Sequence, residues 1–439
     1  MFEKEEKKLV DFKNKYDDAA IPVEALDAAI MAGFKKAKQK KKTNVKKWMI
    51  TCAAAVIFLS GFFASIRISP AFASYIAAIP GMDRIVEMIV HDKGMLAAVE
   101  NEYYQEIGIS EEKNGVKLTI DGAIADENGI VLFYSLKSEK KYESMWIDKV
   151  DLKRLDGKEL KQSSWSFGAP HTSEKNSTYQ GMIEYFFKEP YEAREFQIDI
   201  AVGASGYSEN FKIPFTLKNI KSVKHLAINK EAMVEGQKIN FVDAKISPLR
   251  VGIRVKIDPN NTKKLLNFDD LRLLDEKGET WGKIQNGISG SRISENEEIV
   301  YLQSNYFNQP KELYLAFNKI QAIDKDEAYL VVDIEKEKII KQPKGSQFNP
   351  LVTVSGDDII FKMHTKEEFT YFMFGTPKDR DGKELISESG FSNFADNEDY
   401  QVYEHAINIK NLHSAKGPIS LELSSYPSWI TGSEKIKIK

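Results

Sequence analysis

Hydrophobic and polar positions change their rhythm along this chain. Up to residue 47 the apolar positions recur at helical spacing on a charged background: Leu9, Phe12 and Tyr16, then Val23, Leu26, Ile30 and Phe34. Trp48 to Ile66 carries no charge at all. Its length of about 19 residues, at about 1.5 Å of rise each, matches a hydrocarbon core of about 30 Å. Helical spacing returns over 69–112, interrupted by Pro80-Gly81, with a stripe of Met82, Ile85, Val86 and Ile89 followed by Leu96, Val99, Tyr103 and Tyr104. From about residue 113 the pattern alternates with period two, which predicts strands.

In this alternating region the same order of features occurs three times. A glycine turn opens a strand at Gly115, Gly236 and Gly356, about 120 residues apart. An apolar and aromatic strand follows at 130–136, 249–257 and 369–375, and then a charged turn at Asp156-Gly157, Asp275 to Glu279 and Asp381-Gly382. Each unit ends on a further strand (194–200, 311–317, 418–424) and a short closing strand (211–217, 329–334, 434–439). A unit of about 100 residues with about seven short strands predicts an immunoglobulin-like sandwich. The expected fold class is therefore mainly β: three immunoglobulin-like sandwich modules at 113–220, 221–342 and 343–439, with N-terminal helices and one transmembrane helix. Lys341 to Gly345 reads as the linker before the third module. Residues 1–47 read as a cytoplasmic helical tail, 48–68 as the transmembrane helix and 69–112 as a helical membrane-proximal linker.

Charge gives the span a direction. The net charge is only -3, yet residues 35–47 hold about eight lysines, whereas Arg67 stands nearly alone on the other side. The positive-inside rule places the N-terminus in the cytoplasm and the C-terminal bulk outside the cell, and the lysines suit anionic membrane lipid. The only cysteine, Cys52, lies inside the apolar run, which excludes an intrachain disulfide framework. Beyond the span, Ala71, Ala73 and Ser74 form a small-x-small site of the kind signal peptidase accepts. The long segment before the span favours an anchor over a constitutively removed signal, with cleavage on stimulation as a middle possibility. The helical linker reads either as a stalk on the first module or as a shield over this site.

In the tail, Pro22 stands near a helix start, acidic residues follow it and lysines close it, which suits the helix dipole. Val23, Leu26, Ile30 and Phe34 form a stripe that two short helices cannot bury alone. It predicts folding on a partner's groove or on the membrane surface. The tail around 21–38, the single span and the stretch 67–108 before a long β-rich exterior together resemble Gram-positive membrane proteins that act as negative effectors of extracytoplasmic-function sigma factors. The resemblance implies a tail that holds a sigma factor inactive until an outside signal arrives. The chain lacks the His-x3-Cys-x2-Cys pattern of zinc-type anti-sigma domains, so such binding would be zinc-free.

Motifs for catalysis are missing from the sequence. The histidines His91, His171, His225, His364, His405 and His413 are scattered, and each reads best as a surface or loop residue. No phosphate-binding glycine loop and no nucleophile elbow occurs. Aspartate clusters at 269–270, 324–326, 357–358 and 396–399 lack EF-hand spacing and read as solvated turns. We expect no enzyme, no catalytic residue, no metal, no cofactor and no nucleic-acid partner. Trp146, Trp165, Trp281 and Trp429 lie near turns or strand ends, where sandwich cores use tryptophan routinely and an exposed one could bind sugar or peptide. The expected function is a membrane-anchored signalling regulator whose partners are a sigma factor and an unknown envelope ligand. The alternative is a structural or adhesive envelope protein.

Overall fold

The computed structural model describes residues 81–439 apart from 169–175, 188, 219–222, 285–288, 366–368, 370 and 397–400, and apart from the side chains of 162, 163, 388, 391–396 and 401. The tail, the predicted span and the small-x-small site lie outside the described residues. Among the described residues no helix is long and apolar enough to cross a membrane. Two short helices, Met82–Ile89 (α1) and Lys93–Glu100 (α2), precede antiparallel β-structure throughout.

Helical spacing extends the linker to residue 112, but the chain is already a strand at Tyr104–Lys113 (β1). The two-residue turn Asn114-Gly115 explains this. Both residues have positive φ, which builds a tight hairpin, and a hairpin needs a strand on each side. β1 pairs with Val116–Asp126 (β2), followed by Gly129–Tyr142 (β3), Asn176–Phe187 (β6) and Gln162–Phe167 (β5) across the sheet. A second sheet holds Met145–Arg154 (β4), Glu195–Ala204 (β7) and Tyr207–Thr216 (β8) in the order β4-β7-β8. Leu118, Ile120, Leu132, Ile198 and Phe211 from the two sheets share one apolar core.

The second module repeats that plan. Lys224–Val234 (β9), Gln237–Ile246 (β10), Arg250–Ile257 (β11), Glu297–Gln303 (β16) and Gly290–Ser294 (β15) form the first sheet. The second is built on Leu313–Asp324 (β17), flanked on one side by Lys263–Phe268 (β12) and Arg272–Asp275 (β13) and on the other by Trp429–Lys437 (β26). Thr280–Trp281 (β14) extends it beyond β13. Thus β26 stands beside β17 where β8 stands beside β7.

The third module departs from the plan. Tyr329–Asp333 (β18), Lys338–Lys341 (β19), Phe348–Ser355 (β20), Asp358–Thr365 (β21), Phe374–Lys378 (β22), Ser387–Asp396 (β23), Gln401–Ile409 (β24) and Ile419–Leu423 (β25) lie on one continuous path, β22-β25-β18-β19-β20-β21-β24-β23. Its two halves bury a shared core that includes Leu330, Leu421, Phe361 and Ile407.

This arrangement moves the boundary expected at 342/343. The sequence pattern has β18 closing the second module and β26 the third, and the two strands are exchanged. β18 pairs with β25, and β26 returns across the whole third module to pair with β17. The reason is physical: more and less buried positions alternate along both strands, and alternation fixes which face is buried but not which open edge is filled. Residues 342–345 accordingly lie in a loop between β19 and β20 within the third module.

The charged turns repeat as expected. Asp156 Oδ1 accepts from the Lys158 N–H, Asp275 Oδ1 from Lys277 and Glu279, and Asp379 Oδ1 from Asp381 and Lys383. Gly157, Gly278 and Gly382 supply the positive φ that these turns need.

Candidate functional site: the junction of the helices with two modules

Strand alternation builds this site. In β6, Met182, Glu184 and Phe186 share one face, and in register beside them lie Phe133, Val131 and Gly129 of β3, then Gly122, Ile124 and Asp126 of β2. This is the outer face of the first sheet. It is apolar enough to demand a cover, and α1 and α2 supply it through Met82, Ile85, Ile89, Met95, Ala98 and Val99. Leu249 of the second module joins the same cluster. The helices are therefore wedged against both modules.

Two glycines allow the close approach. A Cβ on Gly129 would overlap the Phe186 ring and stand 3.1 Å from Leu249 Cδ1. A Cβ on Gly94, in the first turn of α2, would stand 2.5 Å from the Ser304 nitrogen. Polar groups then fasten the turn between the helices to the second module. Gln303 Nε2 donates to the His91 carbonyl at 2.9 Å, and Lys93 Nζ donates to the Thr280 carbonyl at 3.1 Å and lies 3.8 Å from Glu279.

One cation and three carboxylates meet at this seam. Asp126 is buried at the end of β2; its carboxylate accepts from the Asn128 N–H at 2.9 Å and from the Leu249 N–H of the second module at 3.1 Å. Asp92 caps α2, accepting from the Met95 N–H at 3.0 Å. Glu184 is buried on β6 and accepts from Ser166 Oγ at 3.0 Å. Arg250, the first residue of β11, is 5% exposed, and its guanidinium carbon lies 2.8 Å from the Phe186 ring centre and 4.4 Å from that of Tyr301. Glu184, Asp126 and Asp92 all act on it electrostatically.

Burial dominates the titration of Asp92, Asp126 and Arg250. It pushes the Asp92 carboxyl up to about 6, with the Glu184 charge adding to the rise. It raises Asp126 against the hydrogen bonds that favour its ionised form. It lowers the Arg250 guanidinium to about 10 despite the surrounding carboxylates. Beside the seam an open cleft of about 720 Å³ runs along the outer face of the second module's first sheet, lined by Asp126, Phe186, Lys245, Arg250, Gly252 and Tyr301 among others. Arg254 in it pairs with Asp243 and lies 3.6 Å from Glu297.

The residues singled out in the sequence fall elsewhere. Val23, Leu26, Ile30 and Phe34, and Ala71, Ala73 and Ser74, lie outside the described residues. Trp281 is core, and Trp429 Nε1 donates to Asp269 Oδ2 at 2.6 Å. Trp146 and Trp165 are 40% and 48% exposed. Two of the aspartate clusters hold backbone, Asp270 accepting from Asn318 and Lys319 and Asp357 from Asn411 and Leu412, and the side chains of the 396–399 cluster lie outside the described residues. His405 is buried, against the surface or loop placement expected of a histidine here. Motif and repeat patterns do not point to the seam. A signal for it is present nonetheless, since Glu184 is the single charge inside an apolar strand, where burial demands a partner.

Residues 40–138 match a domain of unknown function (DUF4179), and residues 223–343 match a family of unknown function (DUF5643). The second match takes in β9 to β19 but not β26. No curated protein matches. The crystal structure of a conserved domain protein from Bacillus anthracis is similar over 54% of this chain and 84% of its own, at 20% identity and a TM-score of 0.41.

Proposed function

We propose that this chain is a membrane-anchored, single-pass signalling regulator. Its cytoplasmic tail sequesters an extracytoplasmic-function sigma factor, and its immunoglobulin-like exterior senses an envelope signal. One observation carries the reading: the order of segments along the chain. A lysine-rich flank and an uncharged run of spanning length are followed closely by helices wedged between two β-modules. Helices held in that way have a path for reporting how the modules stand, because along the sequence only residues 67–81 separate α1 from the uncharged run. The test is affinity purification of residues 1–47 from the native cytoplasm, alone and as the Ile30→Asp, Phe34→Asp double variant. A sigma factor retained by the parent sequence and released by the double variant is expected. Equal retention by both, or no sigma factor with either, rejects the reading. The exposed indoles of Trp146 and Trp165 are what favours the adhesive alternative.

A further inference from the structure

The cleft beside the seam takes its lining from two modules. Asp126, Phe186 and Phe187 come from the first, and the outer face of the second module's first sheet supplies most of the rest. Strand register lays out that face. One row runs His225, Lys245, Gly252, Tyr301, and the next runs Asp243, Arg254, Ile299, Ser291. Gly252 leaves the floor low between Lys245 and Tyr301, where a Cβ would stand 3.0 Å from Ile299 Cγ2 and 3.3 Å from Tyr301 Cε1. The volume of about 720 Å³ falls in the range of small-molecule sites. The polar groups of the lining are unevenly matched. Both acids are already engaged: Asp126 accepts the N–H groups of Asn128 and Leu249, and Asp243 pairs with Arg254. Lys245 is exposed and forms no ion pair among the described residues, and His225 beside it is exposed as well. What is left to meet a ligand is therefore positive charge and hydrogen-bond donors. Ile299, the Tyr301 ring and Ile293, which is 52% exposed, add apolar surface to the same cleft.

We propose that this cleft binds a small amphiphilic anion: Lys245 takes its carboxylate or phosphate group, and its apolar body lies over Gly252 against Ile299 and Tyr301. A charge-assisted hydrogen bond is the stronger kind, and a partly enclosed cleft screens it less than open surface does. Phe186 and Phe187 of the first module line the cleft too, so an occupant lies between both modules beside the helices they hold. The site's place in sensing rests on the proposed signalling role, and the binding itself does not.

Titration calorimetry of the full chain in lipid nanodiscs, with empty nanodiscs as the blank, tests the site with three probes of one shape: naphthoate, naphthyl phosphate and the neutral naphthalenemethanol. Saturable binding of at least one anion, and none of the alcohol, is expected, and the anion that binds tells a carboxylate site from a phosphate site. Lys245→Glu should weaken that binding about tenfold or more, because a charged hydrogen bond is replaced by repulsion. Gly252→Val, which fills the floor, should weaken it too. Lys137→Glu changes an exposed charge on β3 outside the cleft and should leave it unaltered. Lys245 stands on the surface, so its replacement tests the site even where Gly252→Val does not fold. No saturable binding of either anion by the parent overturns the proposal. So does alcohol binding as strong as that of the anions, or a Lys245→Glu variant that binds no worse than Lys137→Glu. None of these outcomes depends on whether residues 1–47 retain a sigma factor, so the cleft and the proposed function fail separately.

Discussion

His405 shows what one buried polar residue does to pH dependence. It sits 1% exposed on β24 between Tyr403 and Phe369, and neither ring nitrogen finds a hydrogen-bond partner among the described residues. Burial lowers its imidazole to about 4 from an ordinary 6.5. The folded protein therefore keeps it neutral while the unfolded chain protonates. No stability is lost to it above about pH 6.5, and about 3 kcal/mol is lost as pH falls from there to about 4. Urea unfolding at pH 7.5 and pH 4.5, compared with His405→Leu, checks this. The variant should lose less stability on acidification than the parent, and equal losses would refute the assignment. Gly129 makes the opposite kind of demand, for absence of a side chain. Gly129→Val would drive a branched Cβ into Phe186 and Leu249, and overpacking of this type costs about 1–3 kcal/mol. That cost should appear as a lower unfolding midpoint together with faster hydrogen exchange in α2, which shares the cluster.

At the level of elements, most strands are legible in the sequence because alternation and glycine turns are local signals. The openings at Gly115 and Gly236 and the Asp-anchored turns fall where the spacing puts them. β1 is hidden because its exposed residues, Glu106, Ser110 and Glu112 among them, leave only a faint alternation. The pattern sets the segment 369–375 beside β21, but β22 pairs with β25 in the other half of the third module's sheet. The seam at Arg250 is not legible, since it depends on which module covers the outer face of another. The exchange of β18 and β26 is hidden for the same reason: partner choice is long-range. It is testable residue by residue. Ile430 on β26 is 1% exposed in the second module's core, and Val332 on β18 is fully buried in the third's. Ile430→Ala should cost about 2–5 kcal/mol and speed hydrogen exchange along β17. Val332→Ala should cost less and act on β25. Loss of protection in β25 from the Ile430 variant, with β17 unaffected, would contradict the strand assignment.

For the whole molecule the exchange makes the third module an insertion in the second. The chain leaves β17 for β18, builds the third module, and returns from β25 to β26, so two crossings join the modules. Side chains at the crossing tighten it. Asp269 accepts from Gln321 Nε2 at 2.8 Å as well as from Trp429, and Lys264 pairs with Glu422. The first module is tied to the second by a single crossing and the seam around Arg250. The coupling should therefore be unequal. A fragment ending at residue 342 lacks β26, so one side of β17 loses its ladder partners and the core loses Ile430 and Ile438. Deleting a core strand removes several buried side chains worth about 1.5–3 kcal/mol each, which is comparable to the roughly 5–15 kcal/mol that holds a typical domain. Residues 223–342 alone should therefore show no cooperative urea transition, whereas 223–439 should unfold in a single transition reported by Trp281 and Trp429 together. A cooperative transition in the shorter fragment, with protected β17 amides, would mean that the second module closes without its distant strand. If the prediction holds, any ligand or force acting on the third module is felt through β26 in the second, and from there at the seam where Arg250 meets the helices.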